Sequence, residues 1–365
     1  MQQNSWTGKA LISLAMLVLI AGALWHFLNP ETQKPSEGQP RVAKSDFEYH
    51  YTMPVVSHSS KGIETEPELD IAGRAKIPRE KVEAWLAKHN RSAVSLLAAF
   101  RALGDTNYLN EAATNFPNDP QVEWTILARD AFPVDRRKWL DLFKASSPSN
   151  SVANYLSAQD YFKNGQKDAA IQELLAASGK PQFGGFSLKT LLDGEALNQF
   201  AGKSPVEAEP LALSQAATDV IMALATYKNL AQNIRDLAKE KLDAGDLNSV
   251  QNLAQMGLSF ADQIRSGDSG KLIITQLVGN AVEAVALSQL DQNTSYDFLG
   301  GQTPAQVLQQ FKEQKASLKE LTQNFGAIYP NLSPEEMAGF SERMKIYGQI
   351  DAMRWVVQQH PPTSP

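Results

Sequence analysis

The sequence contains no cysteine. Disulfides, thiolate zinc sites, iron–sulfur ligation and thiol catalysis are therefore excluded by inventory. Histidine is scarce and scattered, at 26, 50, 58, 89 and 360, with no HExxH pair among them. There is no GxSxG elbow. FGGFSLKT at 183–190 has glycine, lysine and threonine without the spacing that wraps phosphate, and it reads as a turn entering a helix. A basic excess is missing as well. The chain carries 34 Lys and Arg against 40 Asp and Glu, a formal charge of −6, which argues against nucleic acid as a partner. These absences predict a protein that is not an enzyme and uses no cofactor and no metal.

What is present is an ordinary globular composition, 43% apolar and 20% charged over 365 residues, enough for a sizeable core. One stretch stands apart. ALISLAMLVLIAGALWHFL, residues 10–28, has no charged side chain over 19 residues, close to the ~20 that cross a bilayer as a helix. Trp6 and Trp25 flank the run, where amphipathic rings settle at membrane–water boundaries. Lys9 and the triplet Ala21-Gly22-Ala23 also satisfy a secretory signal. The run continues past that triplet to Leu28, so a retained single-pass anchor is the favoured reading. The alternative is cleavage, which would release a secreted soluble structural protein. Lys34, Arg41 and Lys44 after the run outnumber Lys9 before it. The folded domain is nevertheless placed on the extracytoplasmic side, because large domains cross largely regardless of local charge.

Residues 29–76 contain Pro30, Pro35, Pro40, Pro54 and Pro67 among Ser, Glu, Lys and Gly, and read as a flexible tether. Within it FEYHYTMPVV, residues 47–56, is richer in aromatics and is suited to pairing as a short strand or docking on the domain. His50 and His58 have no third ligand nearby, so no metal site is read there.

From Ile77 onward the pattern is helical. Three helix starts are explicit: Ser204-Pro205-Val206-Glu207, Thr303-Pro304-Ala305-Gln306 and Ser333-Pro334-Glu335-Glu336. Each offers a hydroxyl cap, proline where a missing donor costs nothing, and a Glu or Gln reaching back. Glu335 and Glu336 thus serve a first turn and its dipole rather than catalysis. The predicted fold is all-α, with short hairpins over 77–203, a bundle of longer antiparallel helices over 204–360 and a disordered tail at 361–365.

Within the first region VEWTILARD from Val122 and VANYLSAQD from Val152 align at an offset of 30 residues. The second copy continues as YFKNGQKDAAIQELLAASGKP, with Tyr161, Gly165, Ala170, Leu174 and Ala177 at telling intervals, Ala158 one helix earlier, and Pro181 near the end. This stretch resembles a tetratricopeptide repeat, in which an aromatic, a turn glycine and small residues let two helices pack closely. Ser157 and Asn154 stand where that family prefers Leu and Trp. LAKEKLDAGD, with Leu237, Ala238 and Gly245, is a weaker echo. The resemblance implies stacked helix pairs forming a curved array with an inner groove. It also implies that Tyr155, Gln159, Phe162 and Lys163, on the inner face of the first helix, meet a protein or peptide partner. The basic and asparagine clamp with which some members of that family hold a carboxylate is absent, because Tyr155 and Gln159 occupy its places.

After Pro205, Leu213, Ala217, Val220, Leu224, Tyr227, Ala231, Ile234 and Ala238 form a heptad seam. Val250, Leu253, Gly257, Phe260 and Ile264 repeat it. Packing within one chain is favoured over a homo-oligomeric coiled coil, because the seams are alanine-rich and broken by short turns. Residues 271–290 are apolar on several sides, and their polar stripe of Gln276, Asn280 and Glu283 reads as a solvated face. Val307, Phe311, Leu318, Leu321 and Phe325 are matched to Met337, Phe340, Met344 and Tyr347 across the turn GAIYPNL. The functional expectation is a membrane-anchored scaffold for a protein or peptide, touching the bilayer through residues 10–28. An enzyme using Asp and Glu in a helical cleft is the rival.

Overall fold

The computed structural model describes residues 77–184 and 187–361. The anchor at 10–28, the tether at 29–76 with its segment 47–56, and residues 362–365 lie outside the described residues. Among those described there are fourteen α-helices, and no helix is long and apolar enough to cross a membrane. The only β-type contact among them is one isolated parallel bridge between Asn150 and Gln182.

The chain opens with short helices: α1 (Arg79–Lys88), α2 (Ala93–Leu103), α3 (Thr106–Asn115), α4 (Pro120–Arg129), α5 (Arg136–Ser146), α6 (Val152–Lys163), α7 (Lys167–Ser178) and α8 (Ser187–Phe200). Longer ones follow: α9 (Pro205–Asp243), α10 (Leu247–Ser266), α11 (Ile273–Leu287) and α12 (Pro304–Ile328), then α13 (Pro334–Tyr347) and α14 (Gln349–Gln359). Pairs α4–α5 and α6–α7 are consecutive hairpins, an arrangement compatible with a helical repeat fold. Val122, the third residue of α4, and Val152, the first of α6, are both completely buried, so the 30-residue echo falls on the first helix of two successive hairpins. Ala158, Ala170, Leu174 and Ala177 are all buried where α6 meets α7.

The turn after α6 and the turn after α9 share one geometry. Gly165 and Gly245 have φ of 71° and 76°, a left-handed conformation that only glycine adopts without strain. The Gly165 N–H donates to the Phe162 carbonyl at 3.0 Å and the Gln166 N–H to the Tyr161 carbonyl at 2.9 Å. Gly245 and Asp246 repeat this with Leu242 and Lys241, each at 2.9 Å. These bonds satisfy last-turn carbonyls that would otherwise be unpaired. The carboxyl half of α9 and α10 therefore form a further hairpin, which packs beside α6–α7.

Helix α9 is continuous over 39 residues, about 58 Å at 1.5 Å per residue. It touches α4, α6, α8, α10, α11 and α13, and so acts as the spine. Val220, Leu224, Tyr227, Ala231, Ile234 and Ala238 of its seam are all buried within the chain. One apolar core runs from Ile77 to Val282, across the line drawn at residue 203. The three capping boxes at Ser204, Thr303 and Ser333 are all formed.

Close approach of α10 and α11 depends on two glycines. A Cβ on Gly257 would sit 2.6 Å from the Ala286 Cβ, and one on Gly279 would sit 2.5 Å from the Arg265 Cγ. Gly257→Val is expected to destabilise the fold by about 1–3 kcal/mol through overpacking, read as a lower urea midpoint.

Two expectations need correction. The stripe of Gln276, Asn280 and Glu283 does not face water. Gln276 Nε2 donates to the Arg265 and Gly270 carbonyls at 2.9 and 2.7 Å, Asn280 Nδ2 donates to Gln314 Oε1 at 2.8 Å, and Arg265 Nη1 lies 2.6 Å from Glu283. It is an internal polar seam, because α10 and α12 flank α11 on that side. The pairing of α12 with α13 also holds only in part. Phe325 stacks on Phe340 at 5.0 Å, but α12 packs mainly on α14, and Val307 and Phe311 join Val250, Ala254, Leu287 and Leu290 instead. Tyr347 is exposed.

Candidate partner-binding site

The hairpin α6–α7 presents Tyr155, Gln159, Phe162 and Lys163 along α6, but α9 lies across that helix. Tyr155 is 1% exposed and Gln159 3%. The Tyr155 ring lies 4.2 Å from the Phe260 ring and 6.0 Å from Phe183, and Tyr227 closes on Phe260 at 5.5 Å. Four aromatic rings from α6, α9, α10 and the α7–α8 connection thus form one buried cluster, with ring separations in the favourable range. Burial pushes the Tyr155 phenol above its ordinary range, with the Ser259 hydroxyl opposing. Gln159 Oε1 accepts from Asn233 Nδ2 at 2.9 Å. Within this chain these two side chains, expected to meet a partner, pack against the long helix and its neighbours. Phe162 is half-buried against the core, and Lys163 alone of the four is exposed.

The inner face is fixed further by a buried charge knot. Arg101 Nε on α2 donates to Asp219 Oδ2 on α9 at 2.7 Å, and Arg129 Nε on α4 donates to Asp219 Oδ1 at 2.7 Å. Arg101 Nη2 also donates to Thr125 Oγ1 at 2.9 Å. The Arg101 and Asp219 side chains are only 3% and 4% exposed, so the bonds must replace hydration that both ions have lost. Asp219 pins the amino half of α9 across two helices at once.

Nearby in α4, Glu123 is completely buried. Its Oε2 accepts from the Ser146 hydroxyl on α5, while its Oε1 has no partner. Burial pushes this carboxyl up to about 7, with Asp119 adding in the same direction and the Ser146 bond opposing.

With the inner side filled, the opening lies elsewhere. Between α7 and α10 runs an open groove of about 630 Å³. Its apolar surface comes from Ile171 and Leu175 on α7 and from Leu253 and Met256 on α10. Ser178, Asn252 and Gln255 supply polar rim atoms, and Lys241 from the end of α9 supplies a cation. Leu175 is 48% exposed, and Leu242 and Leu247 beside the adjoining turn are exposed as well. The groove exists because Leu174 and Ala177 turn into the core of the hairpin, leaving the neighbouring Ile171 and Leu175 at its edge. Lys167 and Glu240 pair at 2.5 Å between α7 and α9. Sequence reading passed over these residues. Their signal was a second apolar side chain directly beside each core position, Leu175 after Leu174 and Met256 three places after Leu253.

No group of three or more His, Asp or Glu among the described residues is placed to hold a metal ion. No protein-family model matches the chain, and neither the curated proteins nor the solved structures supply a match.

Proposed function

We propose that the chain is a helical-repeat scaffold, anchored in a membrane through residues 10–28, which binds a protein or peptide partner in the groove between α7 and α10. The observation that carries this reading is the groove itself, where the exposed Leu175 and the half-buried Ile171 and Met256 sit between polar rims on two well-packed helices. Concave, mostly apolar surfaces with a few convergent polar groups are where ligands bind. The tetratricopeptide likeness of 152–181 supports a binding role, and the helical domain is assigned to the extracytoplasmic side. The partner face is moved outward from the expected one, since α9 occupies Tyr155 and Gln159.

The test is co-purification from native membranes with the full chain and with Leu175→Glu combined with Met256→Glu. Capture of the same specific partner is expected to fall at least tenfold while thermal unfolding stays within a few degrees. Undiminished capture by the folded double variant would overturn the assignment.

A further inference from the structure

The groove between α7 and α10 is a wedge closed at one end. Gln263 Nε2, near the end of α10, donates to the Ala177, Ser178 and Lys180 carbonyls at 3.2, 3.5 and 3.4 Å and ties the carboxyl ends of the two helices together. Towards their amino ends the helices part, and Lys167 pairs with Glu240 of α9 rather than with α10. Each wall is one face of one helix. Ile171, Leu175 and Ser178 stand four and three residues apart on α7, and Ser249, Asn252, Met256 and Ser259 stand three, four and three apart on α10, spacings that share a face. The groove therefore runs along both helix axes, for about 10 Å on α7 and about 15 Å on α10 at 1.5 Å per residue.

The floor suits an occupant whose backbone is already paired. It is apolar: Leu253 is buried, Ile171 and Met256 are half-buried, and Leu175 is exposed at its edge. The backbone donors and acceptors of the walls are spent inside α7 and α10, so the floor offers no ladder to pair with. An extended chain laid on it would leave its inward N–H and C=O groups unpaired, a costly arrangement. A helix satisfies those groups internally and lowers only side chains into the groove. Ser178, Asn252 and Gln255 are exposed on the rims, where the polar flanks of an amphipathic helix would lie. The length of about 15 Å matches ten helical residues, close to three turns.

Charge narrows the class further. Lys241, at the open end, is the charged residue of the lining, and no carboxylate lines the groove. Glu240 beside it is taken by Lys167, and Asp246 accepts from the Ser249 N–H at the start of α10. A basic occupant is disfavoured there, and a carboxylate at the end nearest Lys241 is complementary.

We infer that the partner element held in this groove is a short amphipathic α-helix, apolar at i, i+4 and i+7, lying along α7 and α10 with an acidic residue at the end that meets Lys241. This rests on the reading of the groove as the partner face.

The test uses peptides of about 14 residues, four turns of helix, selected by display on the full chain in detergent micelles. Two libraries of equal diversity are compared, one with apolar residues at i, i+4, i+7 and i+11 and the other with apolar residues at alternate positions. Enrichment is expected from the first library alone. The selected peptide is expected to bind at least tenfold more weakly to the chain bearing Leu175→Glu and Met256→Glu. It is expected to lose at least tenfold again when proline, which breaks a helix interior, replaces its central outward-facing residue. Lys241→Glu is expected to turn the preference at one peptide end from acidic to basic. Enrichment from the alternating library, binding that survives the proline, or the absence from both libraries of peptides that depend on the two groove residues would overturn the inference. Selection reads the shape of the occupant and co-purification reads whether the native partner uses the groove, so either reading can fail without the other.

Discussion

Asp219→Ala is expected to lower folding stability by about 3–5 kcal/mol, the loss that follows removal of one member of a buried ion pair. The carboxylate accepts from Arg101 and from Arg129, both at 2.7 Å. Without it the 3%-exposed Arg101 side chain keeps its charge in a place that water cannot reach. Thr125 remains as a neutral acceptor, too little to balance an ion. Because the pair spans 118 positions of sequence, its loss should also free the amino half of α9 from α2 and α4. Urea unfolding should show the midpoint shift, and amide exchange should rise first in α8 and α9. Asp236→Ala is the control. Its partner Arg235 is exposed and adjacent in sequence, so the change should stay below about 1 kcal/mol. Replacing Arg101 and Asp219 together by methionine and leucine should recover much of the loss, since a buried pair often exceeds an apolar equivalent only slightly, or not at all.

Glu123→Gln is expected to remove a pH dependence. The carboxyl titrates near 4.5 when unfolded and is pushed up to about 7 by burial in the folded chain. Between those values the native state holds a proton that the unfolded state has released. Stability therefore falls as pH rises from about 4.5 to 7 and is flat beyond. The full span corresponds to about 3 kcal/mol at 1.36 kcal/mol per unit. Glu209 and Glu283 are raised in the same direction by burial, so the native protein should show a composite slope. The difference between native and variant chains isolates Glu123. Stability measured at pH 5 and pH 8 should differ by about 2–3 kcal/mol less in the variant, which becomes the more stable of the two at pH 8. An unchanged slope would show that the Glu123 carboxyl is not held in an apolar site.

What the sequence disclosed depended on how local the cause was. The capping boxes at Ser204, Thr303 and Ser333 are set by four consecutive residues each, and all three form as expected. Gly165 and Gly245 are similarly local, since a turn that needs positive φ selects glycine. The seam on α9 identified buried residues from Val220 to Ala238, while Leu213 is only half-buried, and a heptad does not say against what they pack. Its neighbours come from α4, α6, α8, α10, α11 and α13, and only the folded chain shows that α9 covers Tyr155 and Gln159. The stripe Gln276, Asn280 and Glu283 looked solvated for the same reason: Gln314, one of the partners that draw it inward, lies 34 residues beyond Asn280. Arg101 and Asp219 left a signal that can be read in hindsight. Arg101 is the lone charge of α2 and Asp219 the lone charge over 210–227 of α9, and opposite charges isolated in two buried faces have few partners but each other. The groove was the least legible feature, because it is the gap left between two helices, and sequence patterns encode contacts more directly than gaps.

Where a partner touches the folded domain is the point on which the functional account turns. Photo-activatable side chains placed at Leu175 and Gln255 in the groove, and at Phe162 and Lys163 on α6, can be irradiated in native membranes in the full chain. The expected result is a discrete adduct with a second protein from the two groove positions and none from the α6 positions. Adducts from Phe162 and Lys163, with none from Leu175 and Gln255, would contradict the account and return the partner to the inner face of the repeat.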